Sequence, residues 1–304
     1  MPAFEDVFPL QPPVRLPPED ELAAAVRAAP LAAEFLDGQE DVLEAWGEVC
    51  RDRLGEGLLL EVVRLFVARE PAAGDPPAEL VAFGLVRGSD PYEATPVGLW
   101  MGRRLIGELT GQEVPVLGSL AERDAAGLLL GLRSYPEAER AEELAGWLAR
   151  RDRAGAAREI AGALPEVSPL SRAIGIELLG FELGDEGRAE LDELVIQPKL
   201  GAVIAARLSR DDRQPATEEI GWVLVDMAAA LLEFGGEPSE VVESVAAGMG
   251  ADEQASTIAL LALCDHPATE PVLRVFIDHH PDVAVASAAR KALRRLHGLA
   301  AVRG

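Results

Sequence analysis

Five residues near the end of the chain are the first that could do chemistry. Cys264-Asp265-His266 is followed by His279-His280, so three of the four histidines and one of the two cysteines fall close together. Thiolate and imidazole ligands suit zinc, which needs them all about 2 Å from one ion. The spacing works against a shared ion. The stretch 267–278 reads as a helix, and at about 1.5 Å per residue it holds the two groups roughly 18 Å apart. His266 and His280 each precede a proline, Pro267 and Pro281, where helix starts are expected. The expected roles are therefore structural. Cys264 is a small core residue, His266 and His280 are caps, and His279 ends a helix. No metal ligand and no cofactor site is expected.

The other reactive side chains point the same way. Glu142-Glu143, Asp211-Asp212 and Glu218-Glu219 are adjacent carboxylates. Neighbours on a helix point about 100° apart, so spacing alone makes no shared acid–base pair, and solvated faces are expected. Gly118-Ser119-Leu120 lacks the second glycine of a nucleophile elbow. Phosphate-binding glycine loops, paired zinc-binding histidines on a helix and calcium-loop patterns are absent. Trp222 and Asp226 lie one helical turn apart, an aromatic beside an acid. No catalytic residue is expected, and the chain is expected not to be an enzyme. Arg290, Lys291, Arg294 and Arg295, with Arg303 beyond them, form the one basic end. They cluster on one helix side, where cations suit the helix dipole, and they are a candidate contact patch for phosphate or an acidic partner.

These residues need elements to position them, and the pattern predicts helices. Residues 1–18 carry six prolines and read as an extended arm. Helices follow at about 19–28, 30–37 and 40–53; in the last, Val42, Trp46, Val49 and Cys50 make one apolar stripe. Ser119-Leu120-Ala121-Glu122 spells a capping box for a helix over 120–132, and another helix runs over 137–151. The organisation expected is an arm (1–18), a helical N-terminal domain (19–152) and a repeat domain (153–304).

Within the N-terminal domain, 55–109 stands apart. A helix containing Leu58, Leu59, Val62, Leu65 and Phe66 precedes the turn-rich 71–77. A short helix (78–84), the stretch LVRGSDPYEATPVG and a helix over 99–109 follow. Gly84, Leu85, Val86, Thr95 and Gly98 match a helix ending in Gly-Leu-Val, a two-stranded wing and a Thr-x-x-Gly helix start. The segment resembles part of a winged-helix domain, which implies DNA contact through the short helix. That helix carries Glu79 and no cation, and 55–109 holds eight acids against five arginines, so it has little with which to read bases or neutralise phosphates.

The C-terminal half repeats. At an offset of 82, Ile176, Leu178, Leu179, Leu191, Leu194 and Val195 align with Ile258, Leu260, Leu261, Leu273, Phe276 and Ile277. After one inserted residue, Pro198 meets Pro281 and Ala205-Ala206-Arg207 meets Ala288-Ala289-Arg290. With another helical pair between them (216–234 and 238–249), 82 residues make two units of about 41. In 283–293, Val283, Ala286, Ala289 and Leu293 are expected to face the stack. This half resembles HEAT-like repeats. The resemblance implies an α-solenoid of antiparallel helix pairs, and the whole resembles proteins of high-GC bacteria that join a winged-helix-like segment to such repeats. The fold class expected is mainly α.

Composition bounds the function. The net charge is −24, with −14 of it in residues 1–152 and −10 in the rest, so the acidity is spread and not a tail. Such a field repels nucleic acid and anionic membranes and attracts a basic partner. Two distant cysteines, an acidic N-terminus without an apolar leader and the absence of a long apolar run suggest a cytoplasmic protein with no membrane span. The function expected is protein–protein interaction or scaffolding on the repeat surface, with an unidentified and basic partner. The alternative is a nucleic-acid-associated protein, either a winged-helix regulator or a relative of HEAT-like DNA glycosylases. Those enzymes combine an acid with aromatics in a basic groove, a pattern that Trp222 and Asp226 echo.

Overall fold

Helices dominate the computed structural model, which describes residues 11–210, 213 and 215–303. Among these residues are seventeen α-helices and one two-stranded sheet, so the protein is mainly α. Among the described residues no helix is long and apolar enough to cross a membrane. Residues 1–10 of the expected arm and the pair Asp211-Asp212 lie outside the described residues, as does the side chain of Arg303. The chain divides into two compact units, 11–119 and a second that begins at Leu120. The onset of the repeat had suggested a boundary at 152/153.

The first unit contains α1 (Glu19–Arg27), α2 (Ala32–Phe35), α3 (Val42–Arg53), α4 (Glu56–Ala68), α5 (Ala78–Ala82), a hairpin of β1 (Val86–Gly88) and β2 (Tyr92–Ala94), and α6 (Pro96–Thr110). Local chemistry explains the starts. Asp41 accepts from Glu44 N to cap α3, whose stripe of Val42, Trp46 and Cys50 is buried. Thr95 accepts from Gly98 N, and Pro96 presets the first turn, so α6 starts three residues before the expected Leu99. Trp46, Phe66, Leu80, Leu85 and Met101 fill the core, each burial contributing about 1.5–3 kcal/mol. Gly98 is required where α6 meets the hairpin, because a Cβ there would run into the Leu85 carbonyl. The strands pair antiparallel with Arg87 opposite Glu93.

The second unit opens with α7 (Ala125–Gly131), a 3₁₀ turn (Leu132–Ser134), α8 (Glu137–Leu148) and α9 (Arg153–Ala163). The Ser119 capping box does not form. Residues 117–122 are turns, and Asp124 caps α7 by accepting from Gly127 N. The Leu120 N–H goes to Glu143 instead. Next come α10 (Pro169–Glu177), continued by a π-helical turn (Leu178–Glu182), then α11 (Gly184–Leu194), α12 (Leu200–Arg207), α13 (Thr217–Phe234) and α14 (Pro238–Ala246). The chain ends with α15 (Ala251–Leu261), α16 (Thr269–His279) and α17 (Val283–Arg303).

The sequence period is visible in the helix starts. Pro169 and Ala251 open α10 and α15 at the offset of 82, and Leu200 and Val283 open α12 and α17 one residue later. Three aligned pairs share burial, Ile176 with Ile258, Leu179 with Leu261 and Leu191 with Leu273, whereas Leu178 is buried and its counterpart Leu260 is exposed. Five helices fill the residues from Pro169 to Gly250, so the short α12 accompanies the helices of the expected pairs. α15 and α16 both pack on α17, and α13 packs on α10 and α14. The inner face of α17 is Val285, Ala286, Ala289 and Ala292, with Leu293 half-buried against the core. Val283 is 78% exposed, contrary to the expected stripe, because the helix starts at this residue and not at Pro281.

Candidate functional site

The ionisable groups of the second unit gather around α13. Asp226 sits mid-helix with no exposure, and its carboxylate forms an ion pair with Arg172 of α10. A buried carboxylate persists only when paired and hydrogen-bonded. Arg172 supplies more than charge: its Nε donates to the Leu164 carbonyl at 3.0 Å and its Nη2 to the Val167 carbonyl at 2.9 Å. It thus ties the α9–α10 loop to α13. Trp222, one turn before Asp226, stands 5.2 Å from the Arg172 guanidinium and 4.4 Å, edge to face, from the His266 ring. The acid and aromatic therefore do come together, but Arg172 and His266 cover the acid, and only Trp222 keeps some exposure. Spacing alone could not reveal Arg172, which lies 54 residues from Asp226.

His266 shows how its ring is fixed. Its Nδ1 accepts from Ala268 N at 3.0 Å, so in the neutral ring Nε2 carries the proton and donates to Asp226 Oδ1 at 3.3 Å. His280 repeats the device. Asp282 N donates to its Nδ1 at 3.0 Å, and its Nε2 faces Gln254 Oε1 at 3.0 Å. Each histidine holds the turn before a helix, although the first helical residues are Thr269 and Val283 and neither proline is helical. Asp282 caps α17 by accepting from Ala284 N. The remaining candidate ligands are tied elsewhere. Cys264 Sγ donates to the Leu261 carbonyl, and Asp265 pairs with Lys199 Nζ at 2.6 Å. Among the described residues no group of three or more histidine, cysteine or acidic side chains is placed to hold a metal. In the first unit, burial pushes the Cys50 thiol up to about 12, which removes it as a nucleophile at neutral pH.

The paired carboxylates are not uniformly solvated faces. Glu143 is buried and accepts from Leu120 N at 2.8 Å and from the Tyr135 hydroxyl at 3.0 Å. Glu219 is largely covered and accepts from Lys199 N, Ala216 N and Arg213 Nη2. Burial raises its pKa, but the two backbone donors and the Arg213 charge outweigh burial and hold it below the usual value. Glu218 is exposed. Fixed backbone donors and a neighbouring guanidinium make Glu219 a structural clasp on the start of α13.

Beside the buried centre lies a cleft of about 260 Å³ lined by α8, α10, α12, α13 and α14. Arg133, Arg140 and Arg207 reach it, with Glu177 and an apolar wall that includes Ile174 and Leu231. Arg133 and Arg140 have loose acidic partners, Glu233 at 3.8 Å and Glu177 at 3.6 Å. Arg207 has no ion pair with a described residue, and its Nε is buried without a hydrogen-bond partner. Burial holds its guanidinium below the usual arginine range, partly countered by Asp226 and Glu177. None of these arginines carried a sequence signal, because they come from separate helices without shared spacing.

Arg290, Lys291, Arg294 and Arg295 are exposed on α17, opposite Ala289 and Ala292. None forms an ion pair with a described carboxylate; Arg290 reaches only the Ile277 carbonyl at 3.5 Å. The first unit offers less to phosphate. Arg87 in the hairpin is neutralised by Glu93 at 2.7 Å, Arg64 by Glu61, and Arg104 by Glu44 and Glu108. α5 presents Glu79 outward. No family model, curated protein or solved structure matches this chain.

Proposed function

We propose that the protein is a non-enzymatic interaction protein whose second unit, a HEAT-like array, presents a repeated surface to a basic protein partner. The observation that carries this reading is a pair of large apolar side chains left in solvent at equivalent repeat positions. Phe181 is 71% exposed and Leu263 is 50% exposed, and they are separated by the same 82 residues as the helices that precede them. Apolar groups repeated on a helical array suit an extended partner that meets successive units. Glu182 and Glu186, exposed and without an ion pair to a described residue, lie beside Phe181, so a basic segment is the complementary occupant. The engagement of Asp226, His266 and Cys264 in structural bonds supports binding over catalysis. The cytosol, where its thiols stay reduced, is the compartment this reading assigns.

The test uses Phe181→Ser with Leu263→Ser, two exposed positions whose change leaves the core intact. Tagged wild-type chain and the double variant are used for affinity capture from the native host, with proteins identified by mass spectrometry. A basic protein retained by the wild type and lost with the variant supports the reading. Equal retention by both, or enrichment of nucleic acid alone, overturns it.

The exposed cations of α17 favour a second reading, nucleic-acid association. Fluorescence anisotropy with a DNA duplex separates the two. Binding that falls steeply with salt and disappears in Arg290→Glu with Arg294→Glu selects nucleic acid.

A further inference from the structure

We propose that the cleft around Arg207 binds a small carboxylic acid on an apolar stem. This ligand site is independent of the protein-partner reading and involves neither Phe181 nor Leu263. Charge pairing leaves one cation over. Arg133 has Glu233, Arg140 has Glu177 and Arg172 has Asp226, while Arg207 has no acidic partner among the described residues. The site therefore takes a monoanion.

Geometry narrows the class further. The Nε atoms of Arg207 and Arg140 are both buried without hydrogen-bond partners, and both residues line the cleft. Guanidinium donors form a planar fork that matches the two oxygens of a carboxylate. A phosphate dianion would exceed the single spare charge and would meet Glu177, which lines the same cleft. Ala173, Ile174, Met227 and Leu231 give the rest of the wall an apolar character. The volume, about 260 Å³, lies just below the usual range of roughly 300–1,000 Å³ for pockets holding drug-sized ligands. A stem of about six carbons suits that space. Phe234, also lining the cleft, is 62% exposed, so part of the lining is open to solvent. A bound carboxylate would offset the cost of burying the Arg207 guanidinium, which is what drives its pKa down.

The probe is hexanoate, with hexanol and inorganic phosphate as comparators, titrated into the full chain by calorimetry. Hexanoate is expected to saturate with a Kd on the order of 0.1–1 mM, as befits so few ligand atoms. Hexanol and phosphate are expected to bind about tenfold more weakly or less. Arg207→Met keeps the bulk and removes the charge, and is expected to weaken hexanoate about tenfold. Phe234→Glu places a negative charge at an exposed position of the mouth and is expected to weaken it about threefold. Hexanol binding as tightly as hexanoate, no saturation by hexanoate, or unchanged affinity in folded Arg207→Met each overturns the proposal. If circular dichroism shows that Arg207→Met does not fold, Phe234→Glu decides, and unchanged affinity there overturns it.

Discussion

Among the described residues, the second compact unit puts arginine to a use that the first does not, a buried ion pair. In residues 11–119 several guanidinium groups meet acids at the surface, Arg87 with Glu93, Arg104 with Glu44 and Arg51 with Glu108, as Arg188 does with Asp185 and Arg274 with Glu270 in the second unit. Solvent screens such pairs, and each is worth about 0–1 kcal/mol. In the second unit Arg172 is buried against Asp226, and Arg207 is half-buried with no ion pair to a described residue. Burial turns a tolerable charge into a structural commitment in the first case and an open demand in the second. The same residue type thus pairs at the surface of both units, and in the second it also holds buried Asp226 and, at Arg207, offers a ligand something to satisfy.

The largest effect expected from this contrast is at Arg172. Arg172→Met leaves buried Asp226 with His266 as its remaining hydrogen-bond partner and also frees the Leu164 and Val167 carbonyls. Urea unfolding should show a loss of about 3–5 kcal/mol, the usual consequence of stranding one member of a buried pair. Arg172→Met combined with Asp226→Leu should recover much of that loss, since the stranded charge is gone. A loss below about 1 kcal/mol for the single variant would place Arg172 with the surface pairs and break the contrast.

Two smaller changes sharpen it. Arg207→Met removes a charge that has no ion pair with a described residue, so its stability should stay within about 1 kcal/mol of wild type or rise, unlike the loss expected for Arg172→Met. Arg87→Ala in the hairpin should cost no more than about 1 kcal/mol, and 0.5 M salt should erase most of the difference by screening. Melting curves of both variants with and without salt check the order. A larger loss at Arg87 than at Arg172 would invert the reading of the two units.

What was legible in the sequence follows the range of the interactions. Helix α3 and the hairpin are set by neighbours within a few residues, Asp41 with Glu44 and Arg87 with Glu93, and their expected positions hold. The 82-residue offset was visible because buried positions recur at fixed spacing. The capping box failed because Asp124 offers a cap nearer the apolar run, while the Leu120 N–H is claimed by Glu143, 23 residues away. The buried centre was half legible. Trp222 and Asp226 share a helix, but Arg172 arrives from α10 and His266 from the turn before α16, and single-sequence spacing carries no record of such meetings. The cleft was not legible, since Arg133, Arg140 and Arg207 are brought together only by packing.

The smallest expected effect compares two carboxylates whose pKa values both fall below the ordinary 4.5. Glu61, in the first unit, is lowered chiefly by its hydrogen bonds from Arg64, against burial, with help from the Tyr92 hydroxyl. Glu219, in the helical unit, is raised by burial but lowered more by Ala216 N, Lys199 N and Arg213. Near pH 4.5 each binds fewer protons folded than unfolded. Each therefore contributes stability above that pH, and the contribution disappears as pH falls through its folded value. Glu61→Gln and Glu219→Gln should both be less stable than wild type at pH 7, and both gaps should close as pH is lowered below 4.5. Salt separates them. The Glu61 gap rests on an exposed guanidinium and should shrink in 0.5 M sodium chloride, whereas the Glu219 gap rests largely on fixed backbone donors that ions do not displace. Urea unfolding of both variants from pH 7 to pH 3 at two salt concentrations reads the outcome. Equal salt sensitivity would mean that the helical unit also holds its acids by screened charge, and the contrast would then be confined to Arg172 and Arg207.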